Sequence, residues 1–522
     1  MSETFDYIVV GAGSAGCVLA NRLTEDPARS VLLLEAGGED DADEMHIPAA
    51  FSSLFKTRHD WNYETVEQKQ LGGRRAYWPR AKVLGGCSSM NAMIYIRGNR
   101  ADYDGWRDKH GAAGWGYDDV LPYFVRSEHN TRLGGPLHGT DGPLYVEDRR
   151  FTHELSQAWV DAAVAWGLKP TDDFNGATQE GAGLYQVTCR GGRRWSTADA
   201  YLRPALDRPN LTVRTNALAE RVLFEGTRAV GVAYRRHGTA EVARTEGEVL
   251  LAGGAVNSPQ LLMLSGIGPA EHLRELGLEV LVHLPEVGEN LHDHPAAAIL
   301  WQTRDTTDLA DLATPGALLR WKLTGRGPLA SNVGEAGAFY QVRTDLPDMQ
   351  VHVAPSIFYD NGLREPSVSG FTAGATLVAP LSRGRLRLRS ADPRWRPEID
   401  PAYYADPIDL EVMVAALRHM IEIGTRAPLA RLLAGPHLPT THTLSDEDLA
   451  EHVRAVTQTL YHPVGTCAIG TVVDPELRVR GAEGLRVVDA SVMPVVPRGN
   501  TNAPTIMVAE RAADLIRGRT SS

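Results

Sequence analysis

Three glycines near the start of the chain have the spacing of a phosphate-binding turn. Gly11, Gly13 and Gly16 directly follow an apolar run at residues 5–10. Gly11 permits a tight turn, Gly13 lets the backbone approach a pyrophosphate, and Gly16 lets the next helix pack on the strand. The amino terminus of that helix offers N–H groups to the anion. The spacing therefore predicts a strand, a turn and a helix that bind a dinucleotide.

An acidic residue follows at the distance that such a unit requires. A second apolar run, residues 31–34, ends at Glu35, which lies 19 residues after Gly16. At this position a carboxylate accepts a hydroxyl of the ribose. NAD and FAD both contain a pyrophosphate and this ribose, so the motif alone leaves both dinucleotides open.

Size and charge limit the classes of protein to consider. A chain of 522 residues is too long for one simple core and predicts two to four domains. Its composition, 43% hydrophobic and 23% charged, is ordinary for a globular protein. The formal net charge of -12 argues against a nucleic-acid or anionic-membrane partner. A short basic segment, residues 190–194, is interpreted as a solvated turn.

The cysteines and the amino terminus give no sign of export or of a metal site. Four widely separated cysteines are predicted to be free thiols: Cys17, Cys87, Cys189 and Cys467. No basic segment followed by an apolar stretch precedes the first strand, so we expect a cytoplasmic protein. No run of about eighteen apolar residues occurs, which excludes a membrane-spanning helix. His292 and His294 have a metal-like spacing, but without a third ligand they are interpreted as part of a structural turn.

The remaining elements suggest where the chain folds. A glycine-rich segment at residues 79–91 predicts a following helix with small residues. Short β-rich runs at residues 211–252 predict a meander, and Ser258-Pro259 predicts the start of a helix. The alternation at residues 349–353 and 384–389 is typical of an antiparallel sheet. Near the end, a strand that closes on Asp489 precedes a helix predicted from about residue 503 to 516.

These elements predict an α/β protein with two domains. A Rossmann-like dinucleotide-binding domain, discontinuous in sequence, takes residues 1–150, 205–294 and 470–522. A substrate-binding domain, built on an antiparallel sheet backed by helices, takes residues 151–204 and 295–469.

Three further segments make the chain resemble a known family. Residues 80–97, 254–268 and 499–504, together with the connecting stretch at 288–295, resemble the glucose-methanol-choline family of flavin oxidoreductases along nearly the whole chain. The resemblance implies FAD in the Rossmann-like domain and an antiparallel sheet over a small alcohol site. On this basis the dinucleotide is FAD.

The resemblance also implies which residues contact FAD. Those matching the ADP contacts are Gly11, Gly13, Ser14, Ala15, Gly16, Glu35 and Ala36, with Val222 as a backbone contact near adenine. Those along the pyrophosphate and flavin are Arg80, Val83, Gly86, Asn91 and Ala92, and those at the flavin end are Asp489, Ala490, Asn500 and Thr501. Several members carry a histidine bonded covalently to the flavin where this chain has Met90, so FAD is expected to bind non-covalently.

Oxidation of an alcohol by a flavin needs a base and a group that positions the oxygen. His462 matches the family's catalytic histidine, and a histidine suits proton abstraction near neutral pH. Asn500 matches the second catalytic position, where its amide can bind the substrate oxygen. Tyr461, Phe358 and Tyr359 are the candidates for the substrate pocket.

The expected activity is oxidation of a primary alcohol, such as choline or an aryl or furan carbinol, to the aldehyde. Electrons would then pass to oxygen or another acceptor. The His/Asn pair resembles the choline and hydroxymethylfurfural branches more than the His/His branches. The fold also occurs in a hydroxynitrile lyase and a light-driven fatty-acid decarboxylase, and a non-enzymatic flavoprotein is a third alternative.

Overall fold

The computed structural model describes residues 3–364 and 366–518. Its helices in chain order are α1 (Ser14–Leu23), α2 (Asp43–His46), α3 (Arg100–Lys109), α4 (Tyr117–Ser127), α5 (Glu154–Trp166), α6 (Gly254–Leu264), α7 (Ala270–Glu275), α8 (Pro315–Thr324), α9 (Pro407–Gly424), α10 (Leu429–Leu432), α11 (Asp446–Val456) and α12 (Asn502–Ile516). The strands up to the middle of the chain are β1 (Thr4–Val10), β2 (Val31–Leu34), β3 (Tyr63–Glu64), β4 (Tyr77–Trp78), β5 (Glu128–Asn130), β6 (Leu144–Asp148), β7 (Gly181–Leu184), β8 (Gln186–Val187), β9 (Cys189–Arg190), β10 (Arg193–Arg194), β11 (Leu211–Arg214), β12 (Ala217–Glu225), β13 (Arg228–Arg236) and β14 (Thr239–Leu251). The later strands are β15 (Ile267–Gly268), β16 (Val282–His283), β17 (Pro295–Thr303), β18 (Ala336–Tyr340), β19 (Met349–Ala354), β20 (Gly370–Leu377), β21 (Arg385–Arg387), β22 (Glu398–Asp400), β23 (Leu433–Leu438), β24 (Gln458–Thr459) and β25 (Leu485–Val487).

The first large sheet has a parallel core in the order β11-β2-β1-β14-β25. All four residues of β2 are buried, as expected for a strand covered on both faces. The long strand β14 belongs to two arrangements. Its carboxyl-terminal part pairs in parallel with β1 and β25, and its amino-terminal part closes an antiparallel meander with β13 and β12.

The glycine turn joins β1 to α1 as its spacing predicts. Gly11 has a φ of +102°, a conformation that favours glycine. A Cβ on Gly16 would lie 1.8 Å from the carbonyl oxygen of Gly11, so only glycine allows α1 to approach the turn this closely. Helix α12, from the other end of the chain, packs beside α1.

The second large sheet is antiparallel, in the order β23-β17-β20-β19-β18-β7, with β24 also paired to β17. Helices α5 and α9 pack against its strands. The protein is thus an α/β molecule with a Rossmann-like unit and a second unit based on an antiparallel sheet, which confirms the expected fold class. The domain boundaries given above stay predictions.

Several local expectations are confirmed and others are wrong. The terminal strand and helix appear as β25 and α12, and all four cysteines are free. The prediction of a helix directly after the glycine-rich segment is wrong, because a 3-10 turn, Gly86–Ser89, forms inside the segment and the next helix, α3, begins only at Arg100. The chain then extends, since Met93 O and Tyr95 N hydrogen-bond to the neighbouring segment that contains β8.

Helix α6 begins at Gly254, four residues before the predicted start, so that Pro259 lies inside it. A proline there leaves the carbonyl of Ala255 without its helical partner. The hydroxyl of Thr466 donates to that carbonyl at 2.7 Å and replaces the missing bond. The structure therefore accommodates the proline by a side chain that comes from a distant part of the sequence.

Of two further expectations, one is confirmed and one needs correction. The run at residues 384–389 contains β21, which pairs antiparallel with β22, as expected, in a two-stranded sheet separate from the large one. The basic segment is a hairpin of β9 and β10 rather than a wholly solvated turn. Arg194 is 2% exposed, because its guanidinium donates to the carbonyls of Met45 and Ser88 and to the side chain of Asn91. Within the described ranges, no helix is long and apolar enough to cross a membrane.

Candidate active site

A cavity of about 1220 Å³ is lined by residues of both large sheets. Ligand pockets usually measure about 300–1,000 Å³, so this cavity has room for a dinucleotide and a small molecule together. The sequence-predicted residues that line it are Gly11, Gly13, Ser14, Ala15, Glu35, Ala36, Arg80, Gly86, Asn91, Ala92, Phe358, Tyr359, Tyr461, His462, Asp489, Ala490, Asn500 and Thr501. Residues far apart in sequence therefore meet at one site.

Three predicted contacts lie outside the cavity lining. Gly16 packs against the glycine turn, and Val83 is buried, with its carbonyl accepting from Gly86 N. The N–H of Val222 donates to Ser265 Oγ at 2.9 Å, and residues 217–219 at the start of the same strand, β12, line the cavity. The contact of Val222 with adenine stays a prediction.

The nucleotide end of the cavity is formed by Glu35 at the end of β2. Its two carboxylate oxygens accept backbone N–H groups, one from Ala12 at 2.9 Å and one from Gly37 at 2.8 Å. Burial raises the pKa of Glu35 to about 7, against the opposite effect of these bonds. A carboxylate oxygen has more than one acceptor site, so Glu35 retains capacity for a ribose hydroxyl.

A close approach of two backbones forms the floor for a pyrophosphate. A Cβ on Gly86 would lie 2.6 Å from the Cα of Gly13. The amino termini of α1 and α12 meet here, since Ser14 Oγ donates to Asn502 Oδ1 at 2.7 Å. Neither terminus has a side-chain cap. Two helix dipoles and a cradle without side chains fit the pyrophosphate of FAD.

Asp489 organises the loops at the flavin end. One carboxylate oxygen accepts from Gly254 N and Ser258 Oγ, and the other accepts from the backbone N–H and hydroxyl of Ser491. Burial raises the pKa of Asp489. The side chain therefore ties the start of α6 to the segment after β25.

His462 and Asn500 face each other at the inner end of the cavity. Asn500 Nδ2 lies 3.4 Å from His462 Nε2. The backbone N–H of His462 donates to Asp293 Oδ1 at 2.7 Å. The hydroxyls of Tyr403 and Thr459 donate to the other oxygen of Asp293, each at 2.5 Å. Asp293 thus anchors the segment that carries His462.

Three neutral imidazoles cluster around this position. Burial, with a smaller effect of nearby groups that include Arg80, lowers the pKa of His462 well below its usual value. Burial lowers the pKa values of His294 and His352 to about 3. His462 Nδ1 lies 3.0 Å from His294 Nδ1, and His352 lines the cavity. The sequence analysis missed His352, although its position in an alternating strand over the site is a usable signal.

The pair with metal-like spacing has other partners. His292 Nδ1 donates to Asn290 O at 2.7 Å, and its Nε2 accepts from Val496 N at 2.9 Å. His294 instead turns towards His462. In the described part of the chain, no group of three or more histidines, cysteines and carboxylates is arranged to hold a metal ion. The interpretation as a turn therefore missed the contact of His294 with the site.

Aromatic rings line the part of the cavity next to His462. The ring of Phe51 lies 5.9 Å from that of Phe358, and the ring of Phe55 lies 5.7 Å from that of Tyr461. Tyr461 also donates its hydroxyl to Asn361 Oδ1 at 2.8 Å. These rings form an apolar wall, the aromatic wall, at the substrate end.

A dinucleotide cradle that opens towards a neutral histidine and a carboxamide contains the groups that a flavin-dependent oxidoreductase acting on CH–OH groups requires. The sequence matches the N-terminal domain of the GMC oxidoreductases over residues 5–296 and the C-terminal domain over residues 380–509. The chain belongs to the GMC oxidoreductase family, whose cofactor is FAD.

Named relatives extend along almost the whole chain. It is 43% identical to "Alcohol dehydrogenase [acceptor]" of Pseudomonas putida, covering 98% of this chain and 95% of that protein. It is also 43% identical to mitochondrial choline dehydrogenase of Homo sapiens, and the match covers 99% of this chain and 90% of that protein. Among solved structures, pyridoxine 4-oxidase from "Mesorbium loti" matches with a TM-score of 0.91 and 30% identity, covering 99% and 100%.

Proposed function

We propose that the protein oxidises an uncharged primary alcohol to its aldehyde with a non-covalently bound FAD. The observation that carries the proposal is the pair of His462 Nε2 and Asn500 Nδ2, 3.4 Å apart at the inner end of the FAD cavity. A hydroxyl group placed between them would give its proton to His462 while its oxygen accepts a bond from Asn500. FAD supplies the acceptor for the hydride of the carbinol carbon.

The ionisation state of His462 supports its role as the base. A base must be unprotonated before it can take the hydroxyl proton. The pKa of His462 lies well below its usual value, so the ring is neutral at physiological pH. The backbone bond to Asp293 and the contact of its Nδ1 with His294 fix the ring in place.

The surroundings of the pair favour an uncharged substrate. A quaternary ammonium group needs aromatic faces and a nearby carboxylate. In the cavity lining of the described chain, Glu35 and Asp489 lie at the nucleotide and loop ends, and Asp60 is bonded to Tyr77. Glu64 is largely exposed and pairs with Arg75 at 3.6 Å. Asp360 is half exposed and pairs with Arg364 at 3.4 Å. The aromatic wall therefore lacks an available carboxylate, and it suits an apolar substituent better than a cation.

The absence of a nucleophile at Met90 supports non-covalent binding. Met90 lines the cavity at the position where relatives with a covalent link carry histidine, and a thioether cannot form that bond. We expect the purified protein to be yellow and to release FAD on denaturation. Flavin that stays with the precipitated protein would contradict this part of the proposal.

An alcohol panel tests the activity. The enzyme, loaded with FAD, is mixed anaerobically with aliphatic alcohols, aryl and furan carbinols and choline, and bleaching of the flavin is followed. We expect bleaching by the uncharged alcohols at much lower concentrations than by choline. A preference for choline would overturn the substrate class, and no bleaching by any alcohol would favour a lyase or photodecarboxylase activity instead.

Parallel assays with oxygen and with an artificial acceptor identify the route by which the electrons leave. As the sequence predicts, we propose a cytoplasmic location for the protein.

A further inference from the structure

A series of hydrogen bonds runs to His462 from residues that do not line the cavity. The donor and the acceptor of each bond are determined by the chemistry of the groups. It begins at Tyr185, whose hydroxyl donates to the backbone carbonyl of Val351 at 2.6 Å. A carbonyl can only accept, so the hydroxyl proton of Tyr185 is committed to it. Its oxygen is then left to accept, and Gln350 Nε2 donates to it at 3.4 Å.

The next two groups in the series are the side-chain amides of Gln350 and Asn500. Gln350 Nε2 also donates to Asn500 Oδ1 at 3.1 Å. Because its oxygen faces Gln350, Asn500 presents its Nδ2 to His462 Nε2. An amide nitrogen only donates, so His462 Nε2 has to be the unprotonated nitrogen of the ring.

The other side of the ring has a matching partner. A neutral imidazole carries one proton, which for this orientation lies on Nδ1 of His462. His294 Nδ1, 3.0 Å away, must then accept, and the proton of His294 lies on Nε2. His294 Nε2 is buried and makes no hydrogen bond to the residues that the structure describes, so on this side the series ends at His294.

We propose that Tyr185, Gln350 and His294 are positioning residues that hold His462 in the tautomer with an unprotonated Nε2. None of the three lines the cavity, so each acts through another residue and not on the substrate. The inference rests on the proposed function only for the consequence in catalysis, since the tautomer itself exists without turnover.

The tautomer is measured directly in the FAD-bound wild type. Two-bond ¹H–¹⁵N spectra of protein labelled with ¹⁵N-histidine distinguish a protonated Nδ1 from a protonated Nε2, and the His462 signals are those lost in His462→Gln. We expect Nδ1 to carry the proton. A proton on Nε2 overturns the inference whether or not alcohol is oxidised, whereas loss of the proposed function alone leaves this spectrum unchanged.

Tyr185→Phe removes the group that sets the direction, and Tyr340→Phe is the matched control. Tyr340 is also buried in the antiparallel sheet, but among the described residues its hydroxyl has no hydrogen-bond partner. In Tyr185→Phe we expect a limiting rate of flavin reduction about ten-fold lower, little change in KM, and a mixture of His462 tautomers. Tyr340→Phe should keep the wild-type values. Equal effects in both variants, or none in Tyr185→Phe, would contradict the proposal.

A pair of substitutions tests His294. His294→Phe removes the acceptor for Nδ1–H and should lower the limiting rate by about 10- to 100-fold. His294→Asn keeps an oxygen near the same place and should recover a measurable part of that loss. If the phenylalanine variant does not fold, the limiting rate of the asparagine variant and the wild-type tautomer spectrum still test the proposal. A rate in His294→Asn as low as in His294→Phe would overturn the role of the acceptor.

Discussion

Asp293 Oδ1 accepts the backbone N–H of His462 at 2.7 Å, so a buried carboxylate fixes the main chain of the proposed base. The same carboxylate receives the hydroxyls of Tyr403 and Thr459. Three donors converge on Asp293, and burial raises its pKa. The position of His462 therefore depends on a residue that is not in contact with its ring.

Asp293→Asn should destabilise the protein and displace His462. The new amide nitrogen can only donate, yet it would face groups that also donate. Each hydrogen bond to the charged carboxylate contributes about 1.5–3 kcal/mol to the stability of the fold. We expect a lower melting temperature and a lower kcat. Tyr403→Phe, which removes one donor and leaves the carboxylate in place, serves as the milder control. A wild-type kcat in Asp293→Asn would show that this anchor does not position the base.

His462→Ala should lower the rate of flavin reduction by about 10² to 10⁴, because it removes the general base. FAD should remain bound, since the nucleotide cradle lies at the other end of the cavity. Asn500→Ala should lower the rate of flavin reduction less, by about ten- to a hundred-fold, because it loses one hydrogen bond to a charged oxygen. Anaerobic stopped-flow with saturating alcohol measures both rates. Wild-type reduction by the His462 variant would assign the base to another residue.

The limiting rate of flavin reduction should follow the ionisation of His462. The reactive form is the neutral ring, so the rate rises with pH through the pKa and then stays level. Because burial holds this pKa well below its usual value of about 6.5, we expect the limiting rate to be independent of pH at neutral and alkaline pH. Stopped-flow at saturating alcohol from pH 4 to 10 measures it. A rate that still rises above pH 8 would require a base with a higher pKa.

Gly13→Ala should weaken FAD binding without preventing folding. A Cβ at Gly13 lies 3.9 Å from the Cα of Gly86, an ordinary contact, and it occupies the pyrophosphate cradle. Gly16→Ala differs, because its Cβ would lie 1.8 Å from Gly11 O and would separate α1 from the turn. We expect folded Gly13→Ala protein with a Kd for FAD about 10- to 100-fold higher, measured by titration of the apoprotein. Unchanged affinity would place the pyrophosphate elsewhere.

The sequence predicted the parts of the site that depend on local backbone. The glycine turn, Glu35 and the terminal helix follow from spacing and periodicity over short stretches. It did not predict the helix start at Gly254, because Asp489 and Thr466 stabilise that helix from more than two hundred residues away. The contact of His294 with His462 and the burial of Arg194 were missed for the same reason. Such contacts are properties of packing, which a linear pattern does not contain.

The place of β25 in the first sheet has a consequence for biosynthesis. This strand and α12 come from the last forty residues, yet they complete the sheet and helix pair that β1 and α1 begin. A ribosome adds about 5–20 residues per second, so the opening half of the nucleotide site waits tens of seconds for its partner. During that time the apolar faces of β1 and α1 are a target for chaperones. Because β25 and α12 complete this half of the site, we expect FAD to be retained only after the segment that carries them has been synthesised.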